Sequence, residues 1–251
     1  MPRIIPFRPA AACALALSLT LAFAGVATAK GPTAELRVVG NGGKVLAEKP
    51  AWMAKVSVKA SPRATCFGPG SGGSGDNVQI KANTALGLLA NGARMLASLR
   101  PLLISDSFDF GLALCGVGSS VAKGSSSWYL KINHKSLEVG GDVAKIKPGD
   151  EVLYALVKTE APDFAYPDEL ALSAPNAVKP GMPFTVRVWA YDGKGKRTPQ
   201  AGAKVTGAAQ PTGADGRTTV TLRKPAKLIA RSGTEIPSAR EAVCVGGKCP
   251  K

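Results

Sequence analysis

The period of the hydrophobic pattern changes along the chain, and each change marks an element. Leu36-Arg-Val-Val39 and Lys55-Val-Ser-Val-Lys59 alternate apolar with polar and are rich in β-branched residues, which predicts short strands. From Leu86 the apolar positions recur at Leu89, Ala93 and Leu96, then at Ala97 or Leu99, the spacing of one helix face. Thr84 is the expected N-cap, and Pro101 forbids continuation. The alternation then returns: Trp128, Leu130 and Ile132 point one way, Tyr129 and Lys131 the other. On this pattern Trp128 belongs to the core and Tyr129 to the exterior. Asn133-His134 forms a turn, with His134 at an exposed tip, and Leu137 to Val139 pairs back across it. Lys147-Pro-Gly-Asp150 is a second turn, feeding Glu151 to Val157, which is apolar on both faces and reads as a central strand.

Three stretches read as linkers: Pro69 to Asp76, Gly116 to Ser127, and Glu160 to Pro167. Beyond the last, only strands and turns are predicted. Phe184, Val186, Val188 and Ala190 oppose Thr185, Arg187, Trp189 and Tyr191; further strands are expected at 203–205, 217–222, 227–230 and 242–245. The expected fold class is therefore α+β followed by all-β. Two strands, a helix, a hairpin and a central strand give a β-grasp-like domain over 30–160. A linker follows at 161–167, then a small immunoglobulin-like β-sandwich over 168–251.

Composition changes this picture chiefly at the N-terminus. Arg3 and Arg8 precede an apolar run from Ala10 to Val26, and Ala27-Thr28-Ala29 supplies small residues for cleavage, so residues 1–29 read as a secretory signal peptide. Cys13 leaves with it. No later segment is apolar enough to span a membrane, and a secreted, extracellular or cell-surface-associated protein is expected. Removing the leader takes two arginines and no acid from the net charge of +15, leaving +13. The basic residues are scattered through both halves rather than gathered with aromatics, which argues against a nucleic-acid partner. A solvated surface, or affinity for anionic wall polymers or lipid headgroups, accounts for the charge.

Four cysteines remain after export: Cys66, Cys115, Cys244 and Cys249. An even count in an exported chain argues for disulfides, and proximity in sequence favours Cys66–Cys115 and Cys244–Cys249 among the three connectivities. Metal binding by Cys244 and Cys249 is disfavoured, because four residues separate them and no histidine lies near.

The first domain resembles the transcobalamin-like C-terminal domain family, found in cobalamin carriers and as an exported bacterial module of uncharacterised function. The resemblance is carried by Thr84-Ala-Leu86 through Leu89, Ser127-Trp128-Tyr129, Ile132-Asn133, Val139-Gly-Gly141 and Pro148-Gly-Asp150. His134 departs from it, standing where the family favours glycine. The second domain, with Pro199 to Gly207 and Ala214 to Val220, resembles bacterial immunoglobulin-like and carboxypeptidase-regulatory-like modules.

Candidate chemistry is sparse. His134 has no partner set of a Ser-His-Asp kind in view, no HExxH or phosphate loop occurs, and Asp106 and Asp109 read as loop formers. No catalytic or metal residues are assigned. Trp128, Tyr129 and Asn133 are the candidate ligand- or partner-binding residues. The expected function is non-catalytic binding or adhesion to an unidentified extracellular partner, a cell-wall polymer or surface protein. A corrinoid ligand is the alternative the resemblance implies, with no cofactor otherwise expected. An unrecognised extracellular enzyme is the disfavoured third reading.

Overall fold

The computed structural model describes residues 31–159 and 165–250. The expected signal peptide, and residues 160–164 of the expected linker, lie outside the described residues.

The first half runs β1 (Thr33–Gly40), β2 (Lys44–Trp52), β3 (Val56–Lys59), β4 (Asn77–Ile80), α1 (Ala85–Met95), β5 (Leu102–Phe108), β6 (Gly111–Val117), β7 (Ser120–Val121), β8 (Ser126–Ile132), β9 (Lys135–Ser136) and β10 (Glu151–Lys158). Its main sheet has the order β2-β1-β10-β8-β9, with β1 and β10 parallel and the other pairs antiparallel. The doubly apolar segment from Glu151 is thus the middle strand, as its pattern predicts. Smaller sheets β3-β4 and β5-β6-β7 lie beside it.

Thr84 caps α1, its hydroxyl oxygen accepting from the Gly87 N–H at 3.2 Å. Leu86, Leu89 and Ala93 bury the predicted stripe in the main core with Leu36, Val38, Val152 and Tyr154 of the sheet. Helix and sheet approach closely at Gly92, where a methyl group would collide with Leu36.

The second half runs β11 (Glu169–Ser173), β12 (Ala177–Val178), β13 (Pro183–Tyr191), β14 (Arg197–Pro199), β15 (Lys204–Val205), β16 (Arg217–Thr221), β17 (Ala226–Leu228), β18 (Ala230–Arg231) and β19 (Glu241–Val245). β13 pairs with β11, β14 and β16; β12-β19-β17 and β15-β18 form the other sheets. Val186, Val188, Ala190, Leu170, Val220, Leu228 and Val243 make its own core. The molecule is largely β, with one α-helix among the described residues.

Several expectations are corrected. Gly116 to Ser127 is no linker: it closes β6, contains β7 and opens β8. Asp106 lies within β5 rather than in a loop. Lys135–Ser136, not Leu137 to Val139, pairs back on β8. Both cysteine pairings favoured by proximity are present, Cys66–Cys115 and Cys244–Cys249.

The largest correction concerns the far face of the main sheet. Trp128, Leu130 and Ile132 do pack on the main core. Tyr129 and Lys131 do face the other way, but the second half covers that face, leaving Tyr129 6% and Lys131 0% exposed. Val39, Tyr129, Leu153, Ala155 and Val157 pack there with Ile236 of the second half. The strand period is right; the partner that buries its second face comes from elsewhere in the chain.

Candidate functional site

Two places gather side chains of functional interest. The first is the junction between the halves. Arg37 on β1 and Lys131 on β8 project from the covered face of the main sheet, and His134 from the turn after β8, all toward Glu169 at the start of β11. Glu169 is 3% exposed. It accepts from Arg37; Lys131 Nζ lies 3.4 Å and His134 Nδ1 3.1 Å from its Oε2, contacts off the line of an ideal hydrogen bond. Lys131 Nζ donates instead to the carbonyls of Tyr191 and Asp192 at 3.0 and 3.1 Å.

Burial raises the Glu169 carboxyl, but His134 beside it and the charges of Arg37 and Lys131 overcome this and hold it below the usual carboxylate range. Burial pushes the Lys131 ammonium down, against the pull of Glu169. A buried acid ringed by three basic groups is the arrangement that makes burying any of them tolerable.

His134 is not at an exposed tip. Asn133 and His134 are the two central residues of the hairpin turn, at φ of 49° and 67°, so histidine occupies a left-handed position that glycine would hold without strain. Its ring stacks on Tyr191 with centroids 4.0 Å apart, and Glu151 Oε2 stands 3.4 Å from its Nε2. These contacts tie the turn to β13 and offset the backbone cost. Asn133 is committed locally: it donates to Asp150 and accepts from the Glu151 N–H, both at 2.9 Å. Tyr129 stacks on Tyr166 at 4.2 Å and shares a hydrogen bond with Ser136. Trp128 is half-buried, its indole N–H enclosed without an acceptor among the described residues. The sequence candidates Trp128, Tyr129 and Asn133 therefore adjoin one another in β8 and its turn, but two are tied down by neighbours and the third leans on the core.

The second place was not read from the sequence. Phe67, Phe108 and Phe110 form an aromatic cluster: Phe108 meets Phe67 edge-on at 5.2 Å and stacks on Phe110 at 4.8 Å. Phe67 is 64% and Phe110 67% exposed. Three devices hold the cluster in place. The Cys66–Cys115 bridge anchors Phe67 to β6. Asp106 of β5 accepts from the N–H and hydroxyl of Ser74, both at 2.7 Å, fixing the glycine-rich loop beside it; these bonds hold the Asp106 carboxyl below the usual range. Asp142 accepts from the Leu112 N–H at 3.1 Å and brings the 139–143 segment, with exposed Val139 and Val143, alongside. The signal for it in sequence was Phe108-Asp-Phe110 flanking a turn, with Phe67 next to a cysteine. Only the disulfide and the strand pairing show that these rings meet.

No three His, Cys, Asp or Glu side chains group to hold a metal ion among the described residues. No family model, curated protein or solved structure matches the chain.

Proposed function

We propose that the chain is a non-catalytic exported binding protein whose recognition surface is the Phe67, Phe108 and Phe110 cluster. The observation that carries this reading is the exposure of two phenylalanines packed on either side of Phe108 on a tethered support, Phe67 at 64% and Phe110 at 67%. Large apolar side chains left in water on a braced surface mark contact sites, because covering them returns free energy without a large ordering cost. The two disulfides fit the oxidising compartment that export implies. No helix among the described residues is long and apolar enough to cross a membrane. In this reading the first half is a β-grasp-like unit related to the transcobalamin-like C-terminal domains, and the second an immunoglobulin-like sandwich that braces it.

The partner is an extracellular protein or glycan with an apolar contact face. A corrinoid is the second reading; it is favoured by the stacked rings beside the Gly68 to Asp76 loop, which offer a flat apolar support to a planar macrocycle. The test uses the intact chain and a Phe67→Ser/Phe110→Ser variant, which removes exposed rings and spares the core. Immobilised protein should retain a partner from extracellular material, and the variant should lose at least about tenfold of that affinity. Equal retention by both proteins would remove the proposal. Calorimetric titration with cobalamin decides the second reading, which ends if no heat is seen at millimolar ligand.

A further inference from the structure

The second half carries a basic surface unlike the first half's aromatic cluster. Along β13, Arg187, Trp189 and Tyr191 alternate with buried Val186, Val188 and Ala190, so they stand on the face of the sheet away from its core, where Tyr191 meets His134 and Arg187 and Trp189 are partly exposed. Arg187 lies directly opposite Arg217 of β16, and Arg197 of β14 lies opposite Tyr191. Like charges facing one another across a strand pair cost stability, and nothing in the strand register requires this pair. Asp215 answers it only in part. Its carboxylate is 3.8 Å from Arg217 Nε, and Arg187 Nε donates to its backbone carbonyl at 3.1 Å. Among the described residues, neither Arg187 nor Arg197 is ion-paired.

The guanidiniums are also pre-positioned. The Arg187 guanidinium carbon lies 3.7 Å and that of Arg197 4.3 Å from the centre of the Trp189 ring. Stacking restrains two long side chains that would otherwise lose rotamer freedom on binding. A cavity of about 510 Å³ opens beside them, lined by Ser173, Thr185, Arg187 and Arg217 with three small apolar residues and no acid. The strand positions that carry Arg187 and Arg197 are offset by about 13 Å, but both guanidiniums converge on the Trp189 ring. The result is a cluster of cationic forks with hydroxyls beside it.

We infer that this face binds an acidic polysaccharide, with Arg187, Arg197 and Arg217 holding its sulfate or carboxylate groups. Guanidinium forks match planar and tetrahedral oxyanions bidentately, which a lysine surface does not. Single-stranded nucleic acid is the competing polyanion, but it needs open aromatic faces for base stacking, and here the guanidiniums stack over the ring of Trp189.

The experiment compares the full chain with four variants on a heparin-type sulfated glycan, a polyuronate and single-stranded DNA, across a salt series. Replacing Arg187, Arg197 and Arg217 with Gln should lower glycan affinity at least about tenfold and reduce the log–log salt slope by about three. Replacing the exposed Lys55, Lys59 and Lys81 with Gln removes the same charge from the first half, and should change affinity by no more than about twofold. Replacing the three arginines with Lys keeps charge while removing the forks; it should weaken binding several-fold and decides the matter if the Gln variant fails to fold. The sulfated and carboxylated polymers distinguish which oxyanion is held. Absence of glycan binding by the parent at low salt would overturn the inference. So would equal losses in the arginine and lysine variants, or DNA held as tightly with the same arginine dependence. The Phe67→Ser/Phe110→Ser variant should bind the glycan like the parent, so failure here is distinguishable from failure of the proposed aromatic surface.

Discussion

At the scale of single residues, Glu169 and His134 explain how charged groups come to lie inside. Removing the Glu169 carboxylate would leave the buried Lys131 and the Arg37 guanidinium uncompensated, so Glu169→Ala should cost about 3–5 kcal/mol in denaturant unfolding. Its protonation acts in the same direction. The folded-state value lies below the ordinary 4.5, so the Glu169 contribution is complete above that pH and is lost as pH falls through the depressed folded value. Glu235 and Glu241 oppose this: burial raises both carboxyls, so their ionised forms disfavour the folded state, and acid relieves them. Both are less enclosed than Glu169 and weigh less. Stability of the parent should therefore fall below pH 4.5, and a Glu169→Gln chain should show a flatter curve over that range; identical curves would exclude Glu169 as the acid-sensitive group. His134 offers a separate test of backbone strain. Both His134→Ala and His134→Gly lose the stack on Tyr191, but only alanine keeps a side chain at φ 67°, so the glycine variant should be more stable than the alanine variant by about 1 kcal/mol.

At the scale of elements, legibility followed the number of faces a segment buries. α1 and β10 were read correctly because their own patterns state what they bury: a helix with one apolar stripe and a capping threonine, and a strand apolar on both sides that faces a core on each. β2 was missed because Lys44 to Trp52 carries Glu48, Lys49 and Pro50, residues suited to the edge strand it is and not to an alternating pattern. The end of β6 and β7 were missed because the glycines and serines from Gly116 onward read as a linker, whereas Gly116 sits opposite Leu103 in the ladder. The Cys66–Cys115 bridge staples this small sheet to the loop bearing Phe67, closing a segment of 49 residues. In the chain-entropy account it should contribute about 4 kcal/mol. Cys66→Ala/Cys115→Ala should lose about that much in denaturant unfolding, and the aromatic surface should lose its partner with it; an unchanged midpoint would show that β5 and β6 hold without sulfur.

At the scale of the molecule, the two halves share a buried boundary. Tyr129 and Val157 of the first half pack with Ile236 of the second, and Lys131 reaches across to the carbonyls of Tyr191 and Asp192. A fragment of residues 31–159 would bare that face, a buried lysine included. It should bind a hydrophobic dye and unfold at lower denaturant than the intact chain; a fragment as stable as the whole would mean that the boundary adds nothing. The features legible from residue order alone are local. The period of the alternating strands, the helix with its cap and the central strand depend on neighbours within a few residues, and the Cys244–Cys249 pairing on a short loop closure. Which second faces are covered, that Lys131 and Glu169 meet, and that Phe67 joins Phe108 and Phe110 became visible only in the folded chain. Those outcomes depend on contacts between segments far apart in the chain, and a residue's own type and spacing carry no record of the partner it will find.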